Sequence, residues 1–332
     1  MIQQKNHILS RPFVFLSSWR SLPPYELLSY VFMYASVPML AYGFYNVTIE
    51  IIWVVVLTVI TLYSGFFAAL IWNDITDSEI DAVAHPDRPI PSGRISSTRF
   101  FAIAIVFSAL TFVFSVMVSI WCFLLVGFTA LFTTFHNKYF KHRIQFPAYS
   151  EIFTPIQWVT VAIFGYLSIW TVFPDYGIIR VNPSFLGPIS FQTSDFYTMI
   201  VLVLFTYFAV NAHDLPEGIH DYEGDKKKGV KTYATSFGQQ NAARISFFYF
   251  ILSGLFAFIL YFRTYLSPLF LILFVINWIY ILSHSYRLVK ATEDTRDELA
   301  IIAGRKGFDY FLMSYNIIFL DVFIQLIMYY YF

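Results

Sequence analysis

Long apolar runs separated by short polar segments dominate the chain, and most of them are too uniformly apolar to be one face of a soluble helix. Runs long enough to cross a bilayer predict nine helices, over residues 26–45, 48–72, 99–118, 120–136, 149–170, 195–214, 242–262, 266–287 and 307–331. Residues 10–22 mix aromatic and basic side chains as an interfacial helix does, so residues 1–25 are expected to form an N-terminal interfacial segment ahead of one transmembrane domain, 26–332. Between the fifth and sixth runs, residues 171–194 are longer and more polar than a tight turn, and they are expected to form a lid or partner surface.

The basic residues test this layout independently. With the N-terminus placed in the cytoplasm, every lysine and arginine except Arg180 and Arg263 falls in a cytoplasmic segment, the bias expected of an inserted polytopic protein. The C-terminus then lies on the opposite side. Composition agrees, since 58% of residues are hydrophobic and only 13% charged, too little polar surface for a water-soluble globule of 332 residues. Net charge is zero, and no basic tract interleaves with stacking aromatics, which argues against a nucleic-acid partner. The single cysteine, Cys122, excludes an internal disulfide.

The charged residues that remain are not scattered. Asp74, Asp77, Glu79, Asp81 and Asp87 form one cluster, and Asp214, Glu217, Asp221, Glu223 and Asp225 another; together they hold ten of the chain's 21 acids. Both lie at expected cytoplasmic helix ends. Asn73, Asp77 and Asp81 follow i, i+4, i+8 spacing, Asp74 shares the stripe at i, i+3, i+7, and Asp214, Glu217, Asp221 and Asp225 repeat it. Carboxylates so concentrated repel one another at a bilayer edge and call for cations. Their hard oxygens suit Mg²⁺, which keeps positions for water and phosphate. Bases stand nearby in sequence: Arg88 and Arg94 after the first cluster, Lys138 and Lys141 after the fourth helix, and Lys226, Lys227 and Lys228 after the second cluster. A diphosphate held between metal and these bases would be an activated leaving group.

At these residues the chain resembles the UbiA superfamily of intramembrane prenyltransferases. Asn73, Asp74, Asp77 and Asp81 match its Asn-Asp-x-x-Asp-x-x-x-Asp motif, and the loop from His85 through Arg88 and Arg94 to Ser96 continues it. The run from Asp221 through Asp225 and Gly229 to Thr232, followed by Ser236-Phe237-Gly238, matches the second motif. The resemblance implies an all-α bundle with two Asp-rich motifs at cytoplasmic helix ends. It implies two Mg²⁺ ions, one held by Asn73, Asp77 and Asp81 and the other by Asp221 and Asp225, with Asp74 and Asp214 as further ligands or orienting groups. It further implies an isoprenyl diphosphate ionised at these carboxylates, its diphosphate contacted by Arg88, Arg94, Lys226, Lys227 and either Lys138 or Lys141, and its prenyl group captured by an aromatic or other lipophilic acceptor among membrane lipids. One departure stands out: where the family's second motif usually has an additional aspartate, three residues before Asp221, this chain has Gly218, with Asp214 and Glu217 as the acids nearby that could compensate.

The motifs describe ionisation only, so a terpene cyclase on the same scaffold, needing no acceptor, stands as the alternative. An ion-coupled transporter fits poorly, because coupling acids sit near mid-membrane beside broken helices. Asp309 and Asp321 read as helix-packing partners, and His136, His213 and His220 as helix-end hydrogen-bonders, rather than site groups.

Overall fold

The computed structural model describes residues 24–43, 47–76, 78, 82, 86, 88–173, 178–181, 189–192 and 195–331. The long helices are α1 (Pro24–Tyr42), α2 (Ile49–Thr76), α3 (Ser97–Val118), α4 (Ile120–Phe135), α6 (Ile156–Val172), α7 (Phe196–His220), α10 (Gln239–Arg263), α11 (Pro268–Val289) and α12 (Glu293–Tyr331). Three short helices, α5 (Tyr149–Phe153), α8 (Tyr222–Lys228) and α9 (Tyr233–Phe237), lie beside them in sequence. Within the 171–194 segment, β1 (Ile178–Val181) pairs antiparallel with β2 (Ile189–Gln192), Ile178 opposite Gln192.

Eight of the described helical segments are long and apolar enough to cross a membrane, which makes this a multi-pass integral membrane protein of the all-α class, with one small hairpin outside its helices. The expected ninth, α1, is a 19-residue helix that carries Glu26 and an internal Pro38 and does not reach that hydropathy. It is also heavily covered by protein, with Tyr30, Met33, Tyr34, Val37, Leu40 and Ala41 buried. A helix shielded by neighbours needs less hydrophobicity than one that faces lipid.

The helices pack in a closed ring, α1–α2–α3–α4–α6–α7–α10–α11–α12 and back to α1, with α7 also against α12 and α1 against α6. Caps fix the turns between them. Ser119 ends α3, and its side chain accepts from Cys122 N at 3.2 Å to start α4. Asp321, buried within α12, receives Ser267 N at 2.9 Å and Phe270 N at 3.2 Å and so caps α11. That is the packing role expected of it; Asp309, by contrast, pairs at 3.1 Å with Lys306 on its own helix, an exposed i,i+3 pair rather than a contact between helices. Arg263, one of the two bases expected outside the cytoplasm, pairs with Asp195 at the start of α7.

Several helices outrun their apolar cores. Helix α12 begins at Glu293 rather than near 307, and α7 continues to His220 rather than ending near 214. The added turns are rich in Glu, Asp, Arg, Leu and Ala, of which Glu, Arg, Leu and Ala are good helix formers that hydropathy alone passes over. The expected fifth span is broken near Pro155, which lacks the N–H a continuous helix would use and instead caps α6.

Candidate active site

The first acidic cluster opens on the last turn of α2. Asn73 is half-buried there and Asp74 fully so, with Arg88 Nη1 3.8 Å from Asp74 Oδ1. Asp77 and Asp81 lie outside the described residues. The loop that follows folds back on itself: Ser92 N and Oγ both donate to Arg88 O, at 3.0 and 2.6 Å, and Gly93 N donates to Ile90 O at 3.0 Å. Exposed Arg94 donates through Nε to Ser92 Oγ at 3.0 Å. The loop therefore presents the Arg88 guanidinium beside the end of α2 and leaves that of Arg94 exposed on the loop.

The second cluster spans a helix junction rather than one continuous stripe. Asp214 sits within α7, Asp221 caps its end in the sparsely populated bridge region (φ −82°, ψ 5°), and Asp225 lies in α8. Pro216 has no N–H to offer Ala212 O, and that carbonyl is taken instead by Ser246 Oγ from α10 at 2.7 Å. Helix α8 stops at Gly229, whose left-handed backbone (φ 70°) lets its N–H and that of Val230 bond back to Lys226 O and Asp225 O. Thr232 then caps α9 through a reciprocal pair with Thr235. The glycine and threonine of this motif are thus scaffolding that closes one helix and opens the next. Lys226 lies 5.3 Å over the Tyr222 ring, and Lys227 is exposed.

A third strand of chain completes the site. Helix α4 ends in a π-helical turn, His136–Phe140, followed by one α-turn, Lys141–Arg143. A π-turn holds an extra residue per hydrogen-bonded ring, so it rotates everything after it and separates two lysines that sequence spacing alone leaves equivalent. Lys138 is exposed and packs 5.4 Å over Tyr139. Lys141 turns inward, within electrostatic reach of Asp214, Asp225 and Glu151. Burial holds the Asp225 carboxyl above the ordinary carboxylate range, an effect that Lys141 opposes.

Glu151 was not among the residues the sequence singled out. It is buried on α5, its Oε2 accepts the N–H of Tyr233, and its Oε1 has no hydrogen-bond partner. The available signal was that it is the lone acid between Asp87 and Asp175. The histidines are less involved. His220 bonds Asp297 at 2.5 Å, His136 packs against Phe132, Tyr149 and Phe153, and His213 Nδ1 lies 3.2 Å from Asp214 Oδ1 without the alignment of a hydrogen bond.

One to two helical turns inward from the acids lies an aromatic cluster. Trp158 of α6 stands 6.2 Å from Tyr30, 6.1 Å from Phe66, 5.8 Å from Phe308 and 5.3 Å from Phe311, and His213 stands 5.2 Å from Phe308. Four helices of the ring, and α7 through His213, contribute to it.

The acids and the Asn73 amide offer oxygens, the donors a hard divalent cation takes. Asp214 Oδ2 and Glu151 Oε1 are buried without a hydrogen-bond partner, as ligand oxygens would be before an ion arrives. Among the described residues no three acidic, histidine or cysteine side chains gather closely enough to hold an ion alone. An ion here would draw the rest of its shell from water and phosphate, which is the habit of Mg²⁺. The residues therefore fit that group.

The geometry defines a helical membrane protein with carboxylates and bases gathered at one end over an aromatic interior. The profile of the UbiA prenyltransferase family matches residues 29–313, and the chain belongs to that family. Among curated relatives, a digeranylgeranylglyceryl phosphate synthase of Saccharolobus solfataricus is 27% identical over 188 residues, 56% of this chain and 58% of that protein. One of Methanosarcina mazei is 27% identical over 230 residues, 69% of this chain and 67% of that protein. The chain thus aligns with a little over half the length of the Saccharolobus relative. Among solved structures, a UbiA homologue from Aeropyrum pernix superposes with TM-score 0.63 at 15% identity, covering 90% of this chain and 97% of that one. A UbiA homologue from Archaeoglobus fulgidus, bound to DMAPP and Mg²⁺, superposes with TM-score 0.52 at 14% identity, covering 89% and 99%. At such identities these structures speak for the fold.

Proposed function

We propose that the protein is a Mg²⁺-dependent intramembrane prenyltransferase that transfers a prenyl group from an isoprenyl diphosphate to a lipophilic acceptor. The observation that carries the reading is Asp214 Oδ2, buried without a hydrogen-bond partner in reach of Lys141, on the helix that carries the start of the second acidic motif. Asn73, Asp77 and Asp81 would hold one Mg²⁺, Asp221 and Asp225 a second, with Asp74 and Asp214 beside them. Bound Mg²⁺ supplies positive charge against the leaving diphosphate. Arg88, Arg94, Lys141, Lys226 and Lys227 bind and orient the diphosphate oxygens from three sides, with Lys138 at the rim. When the allylic C–O bond breaks, its electron pair leaves with diphosphate. The acceptor's nucleophilic atom then forms the new bond to the allylic carbon and loses a proton. The aromatic faces of Tyr30, Phe66, Trp158, Phe308 and Phe311 stabilise positive charge on the prenyl chain and keep water from it.

The relatives named digeranylgeranylglyceryl phosphate synthase make a prenylated glyceryl phosphate the first acceptor to test. The orientation expected from the basic residues puts this site at the cytoplasmic face, with α1 as a ninth crossing. One observation favours cyclisation as a second reading: the clustered aromatic rings resemble a contour that folds a cation on itself.

The test is to incubate purified protein with Mg²⁺ and geranylgeranyl diphosphate, with and without geranylgeranylglyceryl phosphate, following diphosphate release and lipid products by mass spectrometry. Acceptor-dependent release with a prenylated product supports transfer, and a cyclic hydrocarbon without acceptor supports cyclisation. If diphosphate stays intact with every chain length tried, both readings fall. Asp77→Ala and Asp225→Ala are each expected to lower turnover by about 10²-fold or more, since each removes charge stabilisation from the leaving group.

A further inference from the structure

Position 218 is the gap in the second acidic motif. It lies on the same face of α7 as Asp214, four residues on, and three residues before Asp221, so a carboxylate there would sit in the middle of the cluster. The chain has glycine instead, and the space is filled from elsewhere. A Cβ built on Gly218 would lie 2.3 Å from Glu151 Oε1 and 3.4 Å from Glu151 Cδ. No side chain fits at 218 while Glu151 occupies that place.

Glu151 is held there firmly. Ala148 N donates to Ser236 Oγ at 2.9 Å, Ser150 N donates to Lys231 O at 3.1 Å, and Tyr233 N donates to Glu151 Oε2. These bonds pin α5 to the loop that follows the second motif. They satisfy one carboxylate oxygen and leave the other, Oε1, buried, without a hydrogen-bond partner and against Gly218 of α7. Asp214, Glu217 and Asp225 lie within electrostatic reach of Glu151, as does the base Lys141. Four carboxylates around one lysine leave negative charge that a bound cation would neutralise.

The geometry points to Glu151 as the missing carboxylate of the second motif, supplied from α5 in place of position 218 and bound through Oε1 to the divalent cation held there. This rests on the proposed reading of the site as one that binds a divalent metal with a diphosphate.

The probe is Mn²⁺ with inorganic diphosphate, titrated into purified protein and read by electron paramagnetic resonance, with thermal unfolding alongside. Glu151→Gln keeps an oxygen to accept the Tyr233 N–H but loses the charge. It is expected to weaken Mn²⁺ binding about tenfold or more while the unfolding temperature stays within a few degrees of wild type. The double variant Glu151→Ala/Gly218→Asp returns a carboxylate to α7, where Thr232 Cβ at 3.7 Å is in ordinary contact, and is expected to regain affinity to within about threefold of wild type. A well-folded Glu151→Gln that binds Mn²⁺ like wild type would reduce Glu151 to a structural anchor and overturn the inference. If Glu151→Gln does not fold, the double variant decides: folded protein without Mn²⁺ binding counts against the assignment. Wild-type protein that binds no Mn²⁺ would overturn the metal reading itself, a result distinguishable from either.

Discussion

Lys138 and Lys141 are less than one helical turn apart in sequence, yet one faces out over Tyr139 and the other faces three buried or half-buried acids. Lys141→Met is expected to raise KM for the diphosphate substrate or lower kcat/KM by about 10- to 100-fold, because it leaves those acids without their base. Lys138→Met is expected to change either by less than about threefold, the range of an exposed surface charge. Steady-state kinetics with both variants checks this, and equal effects would contradict the placement. At this scale the sequence was legible where chemistry was contiguous: Asp214, Asp221, Asp225 and the two arginines stand out as clustered charge at a helix end. It was not legible at Glu151, whose partners Gly218 and Tyr233 are distant in the chain. Neither could spacing choose between the two lysines, because a π-turn changes the angular step per residue that such an argument assumes.

Among the elements, α7 shows how a helix carrying site residues tolerates an internal proline. Pro216 frees the carbonyl of Ala212, and Ser246 from α10 takes it up inside the membrane, where no water could. Ser246→Ala is expected to destabilise the protein by about 1–3 kcal/mol, the cost of a buried carbonyl left without a donor, while the residues proposed to hold metal are untouched. Thermal unfolding in detergent measures the loss; an unchanged midpoint would mean that the bundle resolves Pro216 another way. The apolar runs revealed where helices cross but not where they end, since α7 and α12 continue through charged helix-forming sequence. The break near Pro155 was in principle readable, but the position of Glu151 on the short α5 that precedes it depends on docking against the segment 231–236.

At the level of the whole molecule, charge distribution predicts orientation. The basic residues around both acidic motifs should lie in the cytoplasm. Lys227 is exposed in α8, and Cys122 is buried and so a poor target for reagents, which makes a single added cysteine informative. Lys227→Cys is expected to react with a membrane-impermeant maleimide only when the cytoplasmic side is exposed. Labelling from the outside of intact cells would invert the topology and place the site on the other face.

Helix α12 has 39 residues, so it is about 58 Å long, roughly twice the thickness of the hydrocarbon core. Its charged first turns hold His220 through Asp297 and Gln240 through Arg296, while Phe308 and Phe311, further along the same rod, lie against Trp158. A stiff lever that grips the rim at one end and the interior at the other cannot shift at one without moving at the other. In the proposed reading, occupancy of the mouth and the shape of the aromatic interior would share a single mechanical coordinate, and the rod bordering the charged head of a substrate would also feel its tail.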